Sequence, residues 1–188
     1  YDYFDKTPSM KSEKEYLRYS EKYDLPILAG GWFYVLGRDD ELLLENLRLG
    51  GRLGSLVHNT QIIMDHADGS LVSDEQVAEI YLKAFETGEE TGCRPTFEVH
   101  VNMWSEDFRR IEKVADLVER RGIPFFMTLD HSHVIFKIDN PREQEVFNIR
   151  ESIENGELVL DPFEEDHVCG KWIQRGLVRH CHARAAIP

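Results

Sequence analysis

Carboxylate and imidazole side chains cluster at the ends of three apolar, strand-like segments of the chain. They are Glu98, His100, Asp130, His133, His180 and His182. Carboxylate oxygens and neutral imidazole nitrogens are common ligands of divalent metal ions. In α/β folds with parallel strands, side chains at the strand ends meet even when they are far apart in the sequence. The pattern therefore predicts a metal site in which Glu98, Asp130 and His182 take part.

The first of these segments, residues 97–102, alternates polar and apolar side chains. Its polar side chains are Glu98, His100 and Asn102, and on a strand they share one face because successive side chains point to opposite faces. Inward polar groups are costly unless they are paired, solvated or bound to metal. This favours a site at the end of the strand, and the alternative is a polar strand on an open sheet edge.

Two further patterns supply imidazoles. Asp130 and His133 follow the apolar run 125–129, where the turning chain can bring both to one metal ion. The alternative is an Asp that caps a turn, followed by a surface His. His180 and His182 lie two residues apart, about 6.5 Å along a strand, so both rings face one side. The alternative is a pair of hydrogen-bonded core histidines.

Three other residues are candidates for binding a ligand. His58 begins a polar cluster that continues to Gln61 and is suited either to substrate hydroxyls or to hydrogen bonds in the interior. Trp32 offers an aromatic face to a sugar ring, although such residues more often belong to the core. Arg184 follows the His180 and His182 pair. His66 and His167 are expected at the surface.

Strand-like and helical segments alternate along the chain. Strands are predicted over 25–36, 55–64, 95–102, 123–130 and 177–185, and helices over 9–23, 39–49, 73–91, 105–121, 141–154 and 164–175. Ser9 or Ser12, Asp39, Ser73 and Ser105 are the expected helix caps, and Gly50, Gly51 and Gly54 are expected to end the second helix. This alternation predicts a parallel sheet with helices outside it.

The fold class favoured by these segments is α/β, with a TIM-type (β/α)8 barrel preferred over an open nucleotide-binding sheet. Gly30 and Gly31 do not match the Gly-rich turn of such sheets, and polar residues at several strand ends are typical of a barrel. A full barrel has eight strands and about 250 residues. We therefore expect residues 1–188 to be a single barrel domain that is truncated at both ends.

Composition restricts the partners and the compartment. The net charge of −13 argues against nucleic acid and anionic membranes as partners. No apolar run approaches the roughly 20 residues of a membrane span. Three scattered cysteines without a CxxC motif predict a reducing cytoplasm. An incomplete barrel has exposed strand edges that need covering, so a homo-oligomer is possible.

The order of these candidate ligands resembles the xylose isomerase-like family of TIM barrels. That family includes sugar isomerases, epimerases, inosose dehydratases and endonuclease IV type nucleases, and its metal site commonly takes a Glu, an Asp, a His and a second Glu from the last four strands. Glu98 in Phe-Glu-Val-His matches the first Glu, Asp130 and His133 match the Asp-x-x-His of the epimerases, and His182 matches the His.

The resemblance covers residues 25–186 and would make the five predicted strands the third to seventh of the barrel. Two strands would then precede Tyr1, and one strand carrying the second Glu would follow Pro188. Arg184 lies near the position where some members carry a substrate-binding basic residue.

The resemblance implies a divalent-metal-dependent isomerase or epimerase of a sugar or sugar derivative, which moves a proton through an enediolate. Manganese is the first expectation, and magnesium, cobalt and zinc stay open. Glu98 and His133 are the expected catalytic residues, and Glu98, Asp130, His182 and His133 the expected metal ligands. The expected substrate-binding residues are His100, His58, His180, Arg184 and Trp32.

Three alternatives stay open beside this function. A lyase that removes water beside a carbonyl uses similar parts. An endonuclease IV-like metal phosphodiesterase is favoured by the six of eight histidines placed at strand ends and opposed by the charge of −13. A non-catalytic sugar-binding barrel is the third.

Overall fold

Six parallel strands form one sheet in the computed structural model, which describes residues 4–7 and 9–184. They are β1 (Phe4–Asp5), β2 (Ile27–Tyr34), β3 (Val57–Ile62), β4 (Arg94–Glu98), β5 (Met127–Asp130) and β6 (Val178–His182). Each strand pairs in parallel with the strand that follows it in the sequence. All carboxyl ends therefore lie at the same edge of the sheet. The sequence predicted β2 to β6, and the two-residue β1 is an addition.

Helices connect the strands, as the alternating pattern predicted. They are α1 (Glu13–Tyr23), α2 (Asp40–Leu53), α3 (Asp74–Thr91), α4 (Arg109–Glu119), α5 (Ser132–Ile135), α6 (Pro141–Glu145), α7 (Arg150–Glu154) and α8 (Val168–Gln174), with 3-10 turns at Met10–Ser12, Trp104–Glu106 and Val146–Asn148. Helix α3 packs between α2 and α4, and their apolar faces form the core with the sheet. None of the helices in the described part of the chain has the length and apolar character needed to cross a membrane.

Helix α2 runs past two of the three glycines that were expected to end it. Gly50 and Gly51 lie inside the helix, and Gly54, with a φ of 81°, ends it. A Cβ at Gly50 would lie 2.6 Å from Sγ of Cys93, and one at Gly51 would lie 2.6 Å from the carbonyl oxygen of Thr91. The two glycines therefore serve the close approach of α2 to the end of α3. Ser73 caps α3 through a capping box with Gln76, as predicted.

The strand predicted over 95–102, which is β4 in the structure, was expected to continue to residue 102, and this was wrong. Strand β4 ends at Glu98 because the Ser105 hydroxyl donates to the carbonyl oxygen of Glu98, at 2.6 Å, and accepts from the amide of His100, at 3.2 Å. Asn102 has a positive φ of 63°. His100 and Asn102 thus lie in a turn and not on one strand face, and Ser105 fastens that turn and does not cap α4.

Two late helices also differ from the prediction. The helix predicted over 141–154 is broken into α6 and α7, because Phe147 and Asn148 adopt positive φ. The Arg109 guanidinium donates to the carbonyl oxygen of Phe147 at 2.8 Å and fastens this break. Helix α8 begins at Val168, where the imidazole of His167 accepts the amide of Gly170 and caps the helix. The strand predicted over 177–185 ends at His182, and residue 185 lies outside the described residues.

A buried ion pair joins the loops that follow β4 and β5. Lys137 Nζ lies 2.8 Å from Glu106 Oε1, and the two side chains are 0% and 3% exposed. Glu106 also accepts the amide of Asn102 at 2.5 Å, and Lys137 donates to the carbonyl oxygen of Glu143 at 3.0 Å. The pair therefore fixes the position of the loop that carries His100 relative to the loop that carries His133.

We expect Lys137→Met to lower the free energy of unfolding by about 3–5 kcal/mol, because it leaves the Glu106 carboxylate buried without its counter-charge. Denaturant unfolding measures the change. Lys83→Met, at an exposed position of α3, is the matched control and should change stability by less than about 0.5 kcal/mol. Equal effects of the two substitutions would contradict the structural role of the pair.

Candidate functional site

A polar cavity of about 440 Å³ lies at the carboxyl edge of the sheet. Glu98, Asp130, His180, His182 and Arg184 all line it. The register explains how they meet: Asp130 pairs with His182 across β5 and β6, and Glu98 pairs with Thr128 of the strand that carries Asp130. Side chains from three segments that are distant in the sequence therefore face one space.

Glu98 is the most constrained side chain of the cavity. It is 1% exposed, and its Oε1 lies 2.9 Å from Nδ1 of His182. Its Oε2 accepts from the amides of Asn59, at 2.7 Å, and Gln61. Burial opposes ionisation, but the hydrogen bonds from His182, Gln61 and Asn59 outweigh it and lower the pKa of Glu98. The side chain is thus an ionised, fixed carboxylate.

Asp130 is a second buried carboxylate, 2% exposed, beside the first. Its Oδ1 accepts from the amide and the hydroxyl of Ser132, at 3.0 and 2.5 Å. Its Oδ2 lies 2.8 Å from Nη2 of Arg184 and 3.6 Å from Nε2 of His133. Burial would raise the pKa of Asp130, but the Ser132 hydroxyl and the nearby His133 and Arg184 lower it.

His133 completes a group of three possible ligands. Ligand atoms of Glu98, Asp130 and His133 all lie within 4.8 Å of one another, and all three side chains are buried. Burial, together with the neighbouring His100, lowers the pKa of His133 to about 4, so its ring is neutral at pH 7. Neutral imidazole is the form that binds metal. Two ionised carboxylates and one neutral imidazole are a donor set that fits a divalent cation.

His182 lies between this group and a second one. Its Nδ1 lies 2.9 Å from Glu98 and 3.9 Å from Oδ2 of Asp130, whereas its Nε2 lies 3.8 Å from Oδ2 of Asp5. Ligand atoms of Asp5, His180 and His182 also lie within 4.8 Å of one another. The carboxylates of Asp5 and Glu98 raise the pKa of His182 to about 10. The role of His182 as a ligand of the first group stays a prediction.

Four of the residues predicted to bind substrate lie at this edge of the sheet. The His100 ring lies 3.8 Å from the His133 ring, and His180 and Arg184 line the cavity. Trp32 is 50% exposed and lines an adjoining cavity of about 230 Å³. All four side chains therefore line either the cavity that contains Glu98 and Asp130 or the cavity next to it.

His58 is the predicted site residue that the structure does not bring to the cavity. It is 1% exposed, and its Nε2 lies 2.7 Å from the hydroxyl of Tyr34, which also accepts from Asn46 of α2. The His58 side chain thus points to the helix-covered face of the sheet. Burial lowers its pKa to about 4 and keeps the ring neutral.

The sequence placed Asn59 and Gln61 in a polar cluster but selected only His58 from it as a site residue, and it gave no site role to Asp5 or Ser132. Thr60 pairs with Phe97 across β3 and β4, so the next residue along each strand, Gln61 and Glu98, share the opposite face. Strand alternation combined with this register would have selected Asn59 and Gln61 in place of His58. Asp5 lies on a two-residue strand, which is too short to show any alternation.

No family model and no curated protein matches the chain. The assignment to the xylose isomerase-like family thus stays a prediction from the site residues.

The raised pKa of His182 makes stability depend on pH. The ring keeps its proton up to about pH 10 in the folded protein but only up to about pH 6.5 when unfolded, so this stabilisation is complete below pH 6.5 and is lost towards pH 10. In EDTA, we expect His182→Gln to be about 1–2 kcal/mol less stable than wild type at pH 6, allowing for solvent screening. Urea unfolding should show that difference shrinking as the pH rises. A difference that grows with pH would contradict the ion pairs with Asp5 and Glu98.

Arg184 contacts the same atoms of Asp130 and His133 that a cation would use, at 2.8 and 2.7 Å. We expect Arg184→Met to lower the Kd for Mn²⁺ about tenfold, because it removes a competing positive charge. Isothermal titration calorimetry measures the change. Arg179→Met is the matched control, since this guanidinium lies over the Phe126 ring outside the cavity. Unchanged affinity in Arg184→Met would show that Mn²⁺ binds elsewhere.

Proposed function

We propose that this protein is a divalent-metal-dependent isomerase or epimerase of a sugar or sugar derivative, and that its sheet is part of a TIM-type barrel. The observation that supports the proposal most is the buried group of Glu98, Asp130 and His133 at the carboxyl edge of a parallel sheet. Active sites of α/β barrels lie at that edge. A buried carboxylate needs a counter-charge, hydrogen-bond donors or a metal ion to offset the cost of its desolvation.

Glu98, Asp130 and His133 would hold the cation. Manganese is the first choice for mixed carboxylate and imidazole ligands, and magnesium, cobalt and zinc are the alternatives. When bound, such a cation acts as a Lewis acid and a template towards adjacent oxygens of a hydroxy-carbonyl compound.

Polar groups around Glu98 are suited to a polyhydroxylated substrate. The amide oxygens of Asn59 and Gln61 are buried and have no hydrogen-bond partner in the described structure, while their NH₂ groups donate to Glu98. An unpaired buried acceptor costs about 1–3 kcal/mol, which hydroxyl donors of a sugar would recover. Trp32 lines an adjoining cavity together with Gln61, and its exposed ring would pack against the C–H groups of the sugar ring.

Glu98 would move the proton between adjacent carbon atoms of the substrate. Its hydrogen bonds hold the carboxylate in one orientation, which fixes the position of the proton-accepting oxygen. The same bonds lower its pKa, so the base stays deprotonated to a more acidic pH than an ordinary glutamate. Arg184, whose side chain is 55% exposed, would turn towards a substrate oxygen when a cation replaces it at Asp130.

A metal phosphodiesterase is the main alternative and is less well supported. It would use a similar ligand set, but the phosphate backbone of DNA requires clustered positive charge. The chain carries a net charge of −13, and the cavity has one Arg among its lining residues and several acidic groups.

The proposal is tested by hydrogen exchange at carbon. The full chain is incubated with Mn²⁺ in D₂O with a panel of aldoses and ketoses, and proton NMR follows the loss of the signal next to the carbonyl. We expect exchange with at least one sugar, reduced about 100-fold or more in Glu98→Gln because the base is lost. Glu89→Gln, an exposed glutamate of α3, is the matched control.

Binding of Mn²⁺ without exchange in any sugar would overturn the isomerase proposal. Cleavage of a duplex with an abasic site under the same conditions would replace it with the phosphodiesterase.

A further inference from the structure

The two edge strands of the sheet approach each other through side chains at their carboxyl ends. β1 and β6 are the first and last strands of the sheet and have no ladder between them. Asp5 ends β1 and His182 ends β6, and Oδ2 of Asp5 lies 3.8 Å from Nε2 of His182. We propose that Asp5, His180 and His182 form a second cation site, distinct from the Glu98, Asp130 and His133 group, that joins the two edges of the sheet.

Both imidazoles of this site are oriented by their Nδ1 atoms. Nδ1 of His182 lies 2.9 Å from Oε1 of Glu98, and Nδ1 of His180 lies 3.2 Å from the hydroxyl of Thr128. Each ring therefore directs Nε2 away from that partner, and in His182 this nitrogen carries a proton that a bound cation would displace. Metal-binding histidines commonly use one nitrogen for the metal and the other for a carboxylate or another polar partner.

The partners that orient the rings are themselves fixed. Glu98 is 1% exposed and Thr128 0%, and both lie on central strands of the sheet. The Thr128 hydroxyl also lies 2.7 Å from that of Thr96 on β4, so a row of hydrogen bonds runs across β4, β5 and β6. The His180 and His182 rings are 4.9 Å apart and nearly perpendicular. This arrangement orients two imidazoles before any cation arrives.

Solvent reaches this second site more freely than the first. The side chains of Asp5 and His182 are 43% and 32% exposed, whereas those of Glu98 and Asp130 are 1% and 3% exposed. A site with three protein ligands that opens on a cavity leaves a coordination position for water or substrate, as in His₂-carboxylate zinc sites.

The donor sets of the two sites select different cations. The second site offers two imidazoles and one carboxylate, and the first offers two carboxylates and one imidazole. Imidazole-rich sets favour zinc and similar transition metals, whereas carboxylate-rich sets suit manganese and magnesium. We therefore assign Zn²⁺ to the second site and Mn²⁺ to the first.

Zinc stoichiometry tests the second site without reference to activity. The full chain, freed of metal and saturated with Mn²⁺, is titrated with Zn²⁺ against a chromophoric chelator. We expect one tight equivalent of Zn²⁺ in wild type, with Kd at least about tenfold weaker in His180→Ala and in Asp5→Asn. His66→Ala is the matched control, because His66 lies beside Asp68 outside both groups and should leave binding unchanged.

Thermal unfolding provides a second readout, because a cation that joins β1 to β6 stabilises the fold. Zn²⁺ should raise Tm in wild type and not in Asp5→Asn. The Asp5 side chain is 43% exposed, so we expect Asp5→Asn to fold. Asp130→Asn should lose Mn²⁺ binding and keep the Zn²⁺ equivalent, so failure of the first site is distinguished from failure of the second. Wild-type Zn²⁺ affinity in both His180→Ala and Asp5→Asn would overturn the proposal and leave an ion pair only.

Discussion

Two buried carboxylates on neighbouring strands are the constraint that shapes this end of the molecule. Glu98 and Asp130 are almost fully shielded from water, and both keep lowered pKa values despite burial. Burying such charges is costly unless positive charge or hydrogen-bond donors compensate them. In the metal-free protein, the protonated ring of His182 and the guanidinium of Arg184 supply that compensation. One divalent cation carries the same charge as these two groups together.

The rest of the sheet supports this pair in layers. One layer is the hydrogen-bonded row of Thr96, Thr128 and His180, and the next contains Glu98, Asp130 and His182 with the amides from β3. Parallel pairing places Asp130 level with His182, and it places Glu98 level with Thr128 and His180, so the two layers interlock. The loops beyond the layers are held by the buried pair of Lys137 and Glu106.

Apolar runs and helix caps were enough to predict most elements of the fold, because those signals are local. The break at Phe147 was not predictable from the apolar pattern, since Arg109, distant in the sequence, fastens it. The end of β4 depends on the Ser105 hydroxyl, which the alternation of residues 97–102 does not reveal. At the site, Glu98 and Asp130 could be identified from the sequence because they are carboxylates at the ends of apolar, strand-like segments. Choosing His58 instead of Asn59 and Gln61 failed because it required the register of β3 against β4.

The central claim is that one cation replaces Arg184 between the buried carboxylates. X-ray diffraction from crystals soaked in Mn²⁺, recorded above and below the manganese absorption edge, tests it most directly. The account predicts an anomalous peak in contact with Glu98, Asp130 and His133, with the Arg184 guanidinium moved away from Asp130. An absence of any peak there at saturating Mn²⁺, with Arg184 still bound to Asp130, would contradict it.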